Sequence, residues 1–424
     1  MLKVLWFTNV VLPEASLAMG LPQYLRAGWL EGYLEALRGS GDVSVTVATR
    51  SREVDRAVET VLDGVRHIVL PSRGADVTAP LTDALVSDYC GLVNSIAPDL
   101  IHYHGTECHY GLLSALGHVR APSVLSVQGL LAECGKAYYG RMSFRDLLKA
   151  HTLREICHRG GIFGGRRQFL RRSIMEQTML RGMKHIIGRT LWDRAHIREI
   201  HPEAEYHHCD ELLRPAFYGV IRSPDLFRRH SICVSTAFYP LKGLHVLLRA
   251  AALLTGEFPD LSIRIPDSRR IQTARTTGYS RYLQSMIRDL HLGDHMEWLD
   301  PLDDRGVADL LSDSHLFVNP SFMENSSNSL AEAMIVGVPA IASYAGGNPS
   351  MLRDRETGLL FPAGDHALLA EDIRLLFTQE GYADRLAANA RVEALARHDC
   401  AGVGAALVGI YLSIAGGKSG FPAK

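Results

Sequence analysis

The stretch Asn319-Pro-Ser-Phe-Met-Glu324-Asn-Ser-Ser-Asn-Ser-Leu-Ala-Glu332-Ala-Met-Ile-Val-Gly-Val-Pro339 sets the reading of the whole chain. An apolar strand ends at Val318, a small polar loop follows, and a helix is expected from about Ser329. Glu324 falls in the loop, and Glu332, eight residues on, falls in the first turn of the helix. Unpaired backbone N–H groups and the positive end of the helix dipole favour a phosphate near Ser329 and Leu330. Carboxylates accept hydrogen bonds from hydroxyl groups, so the two glutamates suit a ligand that carries both kinds of group. On spacing alone two plainer readings stay open. Ser329-Leu-Ala-Glu332 has the form of a capping box, and Glu324 reads equally as an ordinary loop carboxylate.

Working outward, short apolar runs alternate with longer helical patterns. Candidate strands are Lys3–Thr8, Val43–Thr49, His67–Leu70, Leu100–Tyr103, Ser123–Val127 and His185–Gly188. A second series is Ile232–Ser235, Ser262–Ile265, Met296–Leu299, Leu316–Asn319, Ala340–Ser343 and Gly358–Phe361. Strands separated by helices imply right-handed crossovers and parallel sheets. At 424 residues the chain exceeds what one core usually serves, so two doubly wound α/β domains are expected. The expected division is residues 1–212, a linker at 213–229, residues 230–398, and a C-terminal helix within 399–424 that can cross back to the first domain. Ligands of such sheets bind at the carboxyl ends of the strands, here in a central cleft between the two domains.

Composition narrows the function classes. Apolar residues make up 47% and charged residues 21%, as in an ordinary well-packed protein. A formal net charge of −1 argues against a dedicated nucleic-acid binder. The seven cysteines are scattered with no C-x-x-C pair, so neither a disulfide framework nor a zinc ribbon is expected, and a cytoplasmic setting fits. The start of the chain lacks the cleavage region of a signal peptide, and the uncharged stretch Ala401–Gly417 is short for a membrane span. Charge is uneven in one place. Between Arg141 and Arg198 there are fourteen Lys or Arg against four Asp or Glu, with Arg166, Arg167, Arg171 and Arg172 beside Phe163, Phe169 and Leu170. That is either a solvated helix face or a patch for anionic lipid headgroups or a phosphate-bearing acceptor, which would place the protein peripherally at the inner face of a membrane.

The glutamate stretch resembles the E-x7-E motif of family 4 of the glycosyltransferases, enzymes of the GT-B fold that retain anomeric configuration. Gly337-Val-Pro-Ala-Ile-Ala-Ser-Tyr-Ala-Gly346-Gly347 and Thr357-Gly-Leu-Leu-Phe-Pro are similar to the same family, and the likeness runs from about Ser231 to Leu376. The resemblance implies Glu324 on the transferred sugar and Glu332 on the ribose of a nucleotide-sugar donor. It also implies the backbone of Asn325, Ser326 and Ser327 near the sugar, and Ser329 and Leu330 near the phosphates. Tyr239-Pro-Leu-Lys242-Gly243-Leu-His resembles the family's K-G element, which implies Lys242 on the diphosphate, where a cation stabilises the leaving group. The family's usual arginine five residues earlier is Ala237 here. Arg189 is the candidate replacement, although it also reads as a partner of Asp193 at a helix start. Main-chain groups near Glu297–Asp300 are candidates for reading the base.

In the first half, Gly28-Trp29, His102-Tyr-His104-Gly105-Thr106-Glu107, Ser126-Val-Gln128-Gly129-Leu130, Gly188-Arg189-Thr190 and Cys209-Asp210-Glu211-Leu-Leu-Arg214 resemble a branch of the family associated with bacterial capsular, exopolysaccharide and lipopolysaccharide assembly. Gly28 is expected to let the first loop approach the donor phosphates. His104, Glu107 and Gln128 follow strands and are expected on the acceptor side, with His104 and Glu107 orienting the acceptor hydroxyl. Gln128 stands where many relatives carry a histidine, and it holds a hydroxyl without taking up a proton. The resemblance implies sugar transfer from a UDP- or GDP-linked donor to a glycan, a lipid-linked glycan or a small molecule. No cofactor and no metal is expected, and Asp303-Asp304 reads as a helix start. A paired-carboxylate hydrolase using Glu324 and Glu107, a nucleotide-sugar epimerase, and a non-catalytic sugar-nucleotide binder are the alternatives.

Overall fold

The structure is a computed structural model and describes residues 1–22, 28–72, 77–234, 239–266 and 277–417. Ala237 and Ser235 therefore lie outside the described residues. Two compact units are present, the first formed by Met1–Leu131, Arg171–Leu212 and Arg397–Lys424, the second by Ala132–Leu170 and Leu213–Ala396.

The first unit holds β1 (Leu2–Phe7), β2 (Val43–Ser51), β3 (Val58–Leu62), β4 (Val65–Pro71), β5 (Leu100–His104), β6 (Ser123–Ser126), β7 (His185–Gly188) and β8 (Glu205–His208). They form one sheet in the order β3-β4-β2-β1-β5-β6-β7-β8. Every neighbouring pair is parallel except the β3–β4 hairpin. The central strands are buried on both faces, as helices covering a parallel sheet require. The second unit holds β9 (Arg228–Val234), β10 (Ser262–Ile265), β11 (Met296–Trp298), β12 (Ser314–Asn319), β13 (Ala340–Ser343) and β14 (Leu359–Phe361). These form a second parallel sheet in the order β11-β10-β9-β12-β13-β14. In each sheet the strand order reverses once, between β1 and β5 and between β9 and β12. The carboxyl ends of such strand pairs are where doubly wound sheets generally bind their ligands.

Several expectations differ from the structure. β3 and β8 were not expected from the sequence. β3 is half of a hairpin turned by Asp63-Gly64, with φ of 48° and 79°, a two-residue turn whose positive φ values match strand twist. β8, Glu-Tyr-His-His, is an edge strand without an apolar run, so no periodicity reveals it. Residues 132–170, assigned by sequence to the first domain, cluster with the second unit because Tyr138, Met142, Leu147, Ala150 and Ile162 pack into its core. Residues 213–229 are not a bare linker. Leu213, Phe217 and Val220 are buried in the second unit, and Arg222 reaches Ser314 O at 3.2 Å and Asp384 at 3.0 Å while its guanidinium lies 3.9 Å from the Phe227 ring centre.

The helix Cys400–Ala415 lies in the first unit, with Val403, Leu407, Val408 and Tyr411 packed among Val4, Trp6, Leu30 and Leu34. By length and composition the helical stretch Glu380–Ala415 contains a window apolar enough to cross a bilayer. Its last part is fixed within the unit by hydrogen bonds as well as by packing. Trp6 Nε1 donates to Tyr411 Oη at 3.0 Å, and His102 Nδ1 meets the same hydroxyl at 2.6 Å while its Nε2 meets Ser126 Oγ at 2.6 Å. Burial, then Arg189, pulls the His102 pKa down to about 3, so the ring in this chain is neutral. Tyr411→Phe strips both partners of their shared oxygen, and urea denaturation should show a loss of about 3 kcal/mol, because buried polar groups left unpaired cost about 1–3 kcal/mol each.

Candidate active site

In the second unit β9 and β12 end side by side, and the loops that follow them carry the two most informative motifs. After β9 the chain turns through Pro240–Lys242 to Gly243, whose φ of 73° ends the turn. A Cβ at Gly243 would stand 2.0 Å from Pro320 O, so only glycine lets the two loops touch. Phe322 N donates to Leu241 O at 2.7 Å, a backbone tie between them. The result is an ion pair. Lys242 Nζ lies 2.5 Å from Glu324 Oε1, and that oxygen also accepts from Ser321 Oγ at 2.7 Å. Burial alone lowers the Lys242 pKa, but the Glu324 carboxylate and the nearby Tyr239 more than offset it, so the pKa is raised and the ammonium stays charged.

The Glu324 backbone is fixed by the loop that follows β13, the strand next to β12. Gly347 N donates to Glu324 O at 2.9 Å, and Gly346, with φ of 55°, has no room for a Cβ, which would come 1.9 Å from the same oxygen. This explains the Gly346-Gly347 pair physically.

The helix after the loop is Asn328–Val336, starting one residue earlier than expected. Its N-cap is Ser327, whose hydroxyl accepts from Leu330 N at 3.4 Å and from Asn319 Nδ2 at 2.9 Å. Two consequences follow. The capping-box reading of Ser329 and Glu332 is wrong, because Ser327 does the capping and Glu332 sits beyond the first turn. The Leu330 amide is partly taken by its cap, which leaves the Asn328 and Ser329 amides as the outward-facing end of the helix dipole. Asn325 and Ser327 are buried, with Ser326 Oγ and Ser327 N lying 3.7 and 3.2 Å from the Met351 sulfur.

Glu332 is buried and pairs with a residue to which sequence assigned no role. Arg214 donates from Nε at 3.0 Å and Nη2 at 2.8 Å to Glu332 Oε1, and from Nη1 to Asp304. Burial pushes Glu332 up to about 7, against the pull of Arg214 and with a push from Asp304. Asp303 caps the helix Asp304–Ser312 through Gly306 N at 2.8 Å, as its helix-start reading implied. Glu297 is held by Arg228 and by Arg264, 3.4 Å away, and Leu299 N donates to Ile265 O at 3.0 Å.

In the first unit, His104 ends β5, Glu107 follows it, and Gln128 and Arg189 follow β6 and β7. His104 is buried with its ring 3.7 Å from His102, 4.5 Å from Trp6 and 5.5 Å from Trp29 between centres. Among the described residues neither ring nitrogen has a hydrogen-bond partner. Burial, then His102 and Arg189, holds its pKa well below the ordinary value, so His104 is a neutral imidazole. Glu107 is raised by burial, and its Oε2 has no partner among the described residues. Gly105, with φ of 97°, makes this possible, since a Cβ there would stand 2.1 Å from that oxygen.

Arg189 meets Asp193 at the helix start, and its side chain has a further acidic partner. Its backbone N–H, not its guanidinium, meets Asp193, at 2.8 Å. The guanidinium is buried against Trp29, 5.9 Å from the ring centre, and pairs with Glu211 at 2.5 Å. Burial opposes its charge and Glu211 more than restores it, so Arg189 is a neutralised cation rather than a bare one. Glu211 and Arg214 flank the buried Leu212-Leu213, and charges bracketing an apolar pair were the signal that sequence reading left unused. Gly28 opens the helix Gly28–Arg38 and places Trp29 beside Arg189 and His104.

Residues 228–393 match the family model described as glycosyl transferases group 1. A phosphatidyl-myo-inositol mannosyltransferase of Mycobacterium leprae is 30% identical over 177 residues, 42% of this chain and 44% of the relative. A D-inositol 3-phosphate glycosyltransferase of Streptomyces scabiei is 33% identical over 138 residues, 31% of this chain and 30% of the relative. The chain thus spans less than half the length of either. Among solved structures, a sucrose-phosphate synthase from Thermosynechococcus elongatus superposes with a TM-score of 0.73 at 17% identity, over 99% of this chain and 100% of that one. Anabaena HepE in complex with UDP and glucose superposes with a TM-score of 0.67 at 15% identity, over 97% and 100%. With its two parallel α/β sheets and this likeness along nearly its whole length, the chain has the GT-B fold.

Proposed function

We propose that the chain is a retaining glycosyltransferase that moves a sugar from a nucleoside diphosphate donor, UDP- or GDP-linked, to a hydroxyl of a glycan, lipid-linked glycan or small molecule. The observation that carries this is the Lys242–Glu324 pair at the switch point of the second sheet, next to the Asn328–Val336 helix start. A diphosphate arriving at Lys242 and the helix N-terminus competes with Glu324 for the ammonium. Once released, the Glu324 carboxylate accepts from hydroxyls of the sugar. Glu332, steadied by Arg214, accepts from the ribose. Lys242 and the helix dipole then stabilise the leaving diphosphate, whose own oxygen takes the acceptor proton on the face it departs from. No metal is required in this scheme. HepE, solved with UDP-glucose, and the curated transferases above favour transfer over hydrolysis, epimerisation or simple binding.

The acceptor side belongs to His104, Glu107 and Gln128. A neutral imidazole and a carboxyl raised by burial position a hydroxyl by hydrogen bonding and do not supply a cation. The capsular, exopolysaccharide or lipopolysaccharide setting is part of the same proposal, as is a cytoplasmic location at the inner face of the membrane.

We assign the proposed membrane contact to a surface next to the Arg166–Arg172 region. Arg166 donates to Gly135 O at 3.1 Å and Arg172 to Glu107 O at 3.0 Å, so two of the four arginines serve the fold, while Arg167 and Arg171 are exposed. The short helices Phe144–Lys149 and Leu153–Cys157 instead expose Phe144 at 70%, Leu148 at 55%, Leu153 at 82% and Ile156 at 61%. Exposed Arg145, Lys149, Arg154 and Arg159 alternate with them. Apolar side chains among cations suit an anionic bilayer surface.

Three outcomes are expected. In a thermal-shift panel of UDP, GDP, ADP, CMP and TDP with their sugar conjugates, one nucleotide should stabilise selectively, by about 2.7 kcal/mol at about 100 times Kd. Lys242→Ala should abolish that shift, whereas Glu324→Gln should keep the nucleotide shift, lose the added shift from the sugar, and lower turnover about 100- to 1,000-fold. Retention of full turnover by Glu324→Gln rules the scheme out. Secondly, ribose hydroxyls bind the ionised form of Glu332. Below its pKa of about 7 that form must first be made by releasing a proton, so nucleotide affinity should rise by up to about tenfold per unit as pH rises toward 7 and then level off. Calorimetry should show this slope in the wild type and not in Glu332→Gln. Thirdly, the chain should float with anionic but not neutral vesicles, and Leu153→Glu with Ile156→Glu should abolish flotation.

A further inference from the structure

The carboxyl-edge residues do not account for a cluster at the other end of β7 and β8. His185 opens β7 and Glu205 opens β8, and the parallel register sets them side by side. His207, two residues further along β8, projects from the same face as Glu205. All three are partly buried, and one ligand atom from each lies within 4.8 Å of the others. His185 Nδ1 is 3.2 Å from His207 Nε2 and 3.5 Å from Glu205 Oε2. Lys184 Nζ lies 3.0 Å from the other carboxylate oxygen, Oε1.

We propose that His185, Glu205 and His207 form a binding site for a divalent transition metal ion, with zinc as the best fit. Ligands at about 2.0–2.1 Å from a tetrahedral zinc stand about 3.3 Å from one another. Two of the three edges of this triangle already have that length. Two imidazole nitrogens and one carboxylate oxygen are a ligand set that zinc takes, with the fourth position left to water or a small anion. Lys184 acts from outside the triangle. By holding Oε1 it turns Oε2 toward the imidazoles, the usual work of an outer-shell partner.

The site spans β7 and the last strand, β8, whose outer edge has no neighbouring strand among the described residues. A metal shared by β7 and β8 clips that edge strand in register. β8 runs directly into Cys209-Asp210-Glu211, where Tyr33 Oη donates to Asp210 O at 2.8 Å and Glu211 pairs with Arg189. Occupancy therefore stiffens the segment that holds Arg189. The site is structural in this reading, and it stands independently of the sugar-transfer proposal.

The test uses the full chain, stripped with a chelator and titrated with Zn²⁺ against a chromophoric competitor, and with Co²⁺ followed by its d–d absorption. The wild type should bind one equivalent, give the intense visible bands of tetrahedral cobalt, and melt higher with metal than without. His207→Ala should weaken zinc binding by about 100-fold or more, since even outer-shell losses cost about 10–100-fold. Glu205→Gln keeps the shape of the site and an oxygen for Lys184, and it should weaken binding as well. His208→Ala is the control: that exposed neighbour bonds Asp210 at 2.9 Å, and its loss should leave the titration unchanged. Failure of the wild type to bind one equivalent overturns the proposal. So does equal binding by His207→Ala, or an equal loss in His208→Ala, which would mean only scattered surface histidines.

Discussion

A charge taken out of water at the end of a buried strand must be paired, and that requirement organises both candidate sites. Lys242 is matched by Glu324, Arg214 by Glu332 and Asp304, and Arg189 by Glu211. Removing one member of such a pair leaves an uncompensated ion whose cost exceeds what the pair itself contributes. The pairs therefore hold their loops in one geometry while keeping the sites near neutrality. In the proposed reaction a phosphate or a hydroxyl enters by exchanging partners rather than by filling a bare charge.

Close backbone approach is the second constraint. Gly243 lets the Lys242 turn touch Pro320, Gly346 lets a neighbouring loop touch Glu324 O, and Gly105 leaves space for the Glu107 carboxylate. The Lys242–Glu324 pair depends on the first two of these positions having no side chain, and the inward Glu107 carboxylate on the third. A sheet that ends in crowded loops needs such gaps, and the gaps fall where the charged side chains turn inward.

The contrast between the two units is chemical. The second gathers ionised groups with their partners beside a helix N-terminus. The first gathers aromatic rings around a neutral histidine and a carboxyl raised by burial. Among the described residues both His104 ring nitrogens and Glu107 Oε2 lack hydrogen-bond partners, whereas Lys242, Arg214 and Glu332 are paired.

By itself the sequence determined the α/β class, twelve strands of the two series, and the adjacency of the Glu324 loop to a helix start, because apolar runs and short motifs are local signals. It also placed His104, Glu107, Gln128 and Arg189 just beyond strands. It did not reveal β8, since an edge strand of polar residues has no hydrophobic period, and it passed over β3, although the Asp63-Gly64 turn between alternating residues marked that hairpin. It allowed Ser329-Leu-Ala-Glu332 to pass for a capping box, because spacing does not say which serine adopts the extended backbone of an N-cap. Partnership was decided only in three dimensions. That Arg189 belongs to Glu211 and Arg214 to Glu332, and that residues 132–170 pack with the second unit, depend on which side chains the folded sheets bring within a few ångströms. Burial and ion pairing act on distance in space, and distance along the chain carries little information about it.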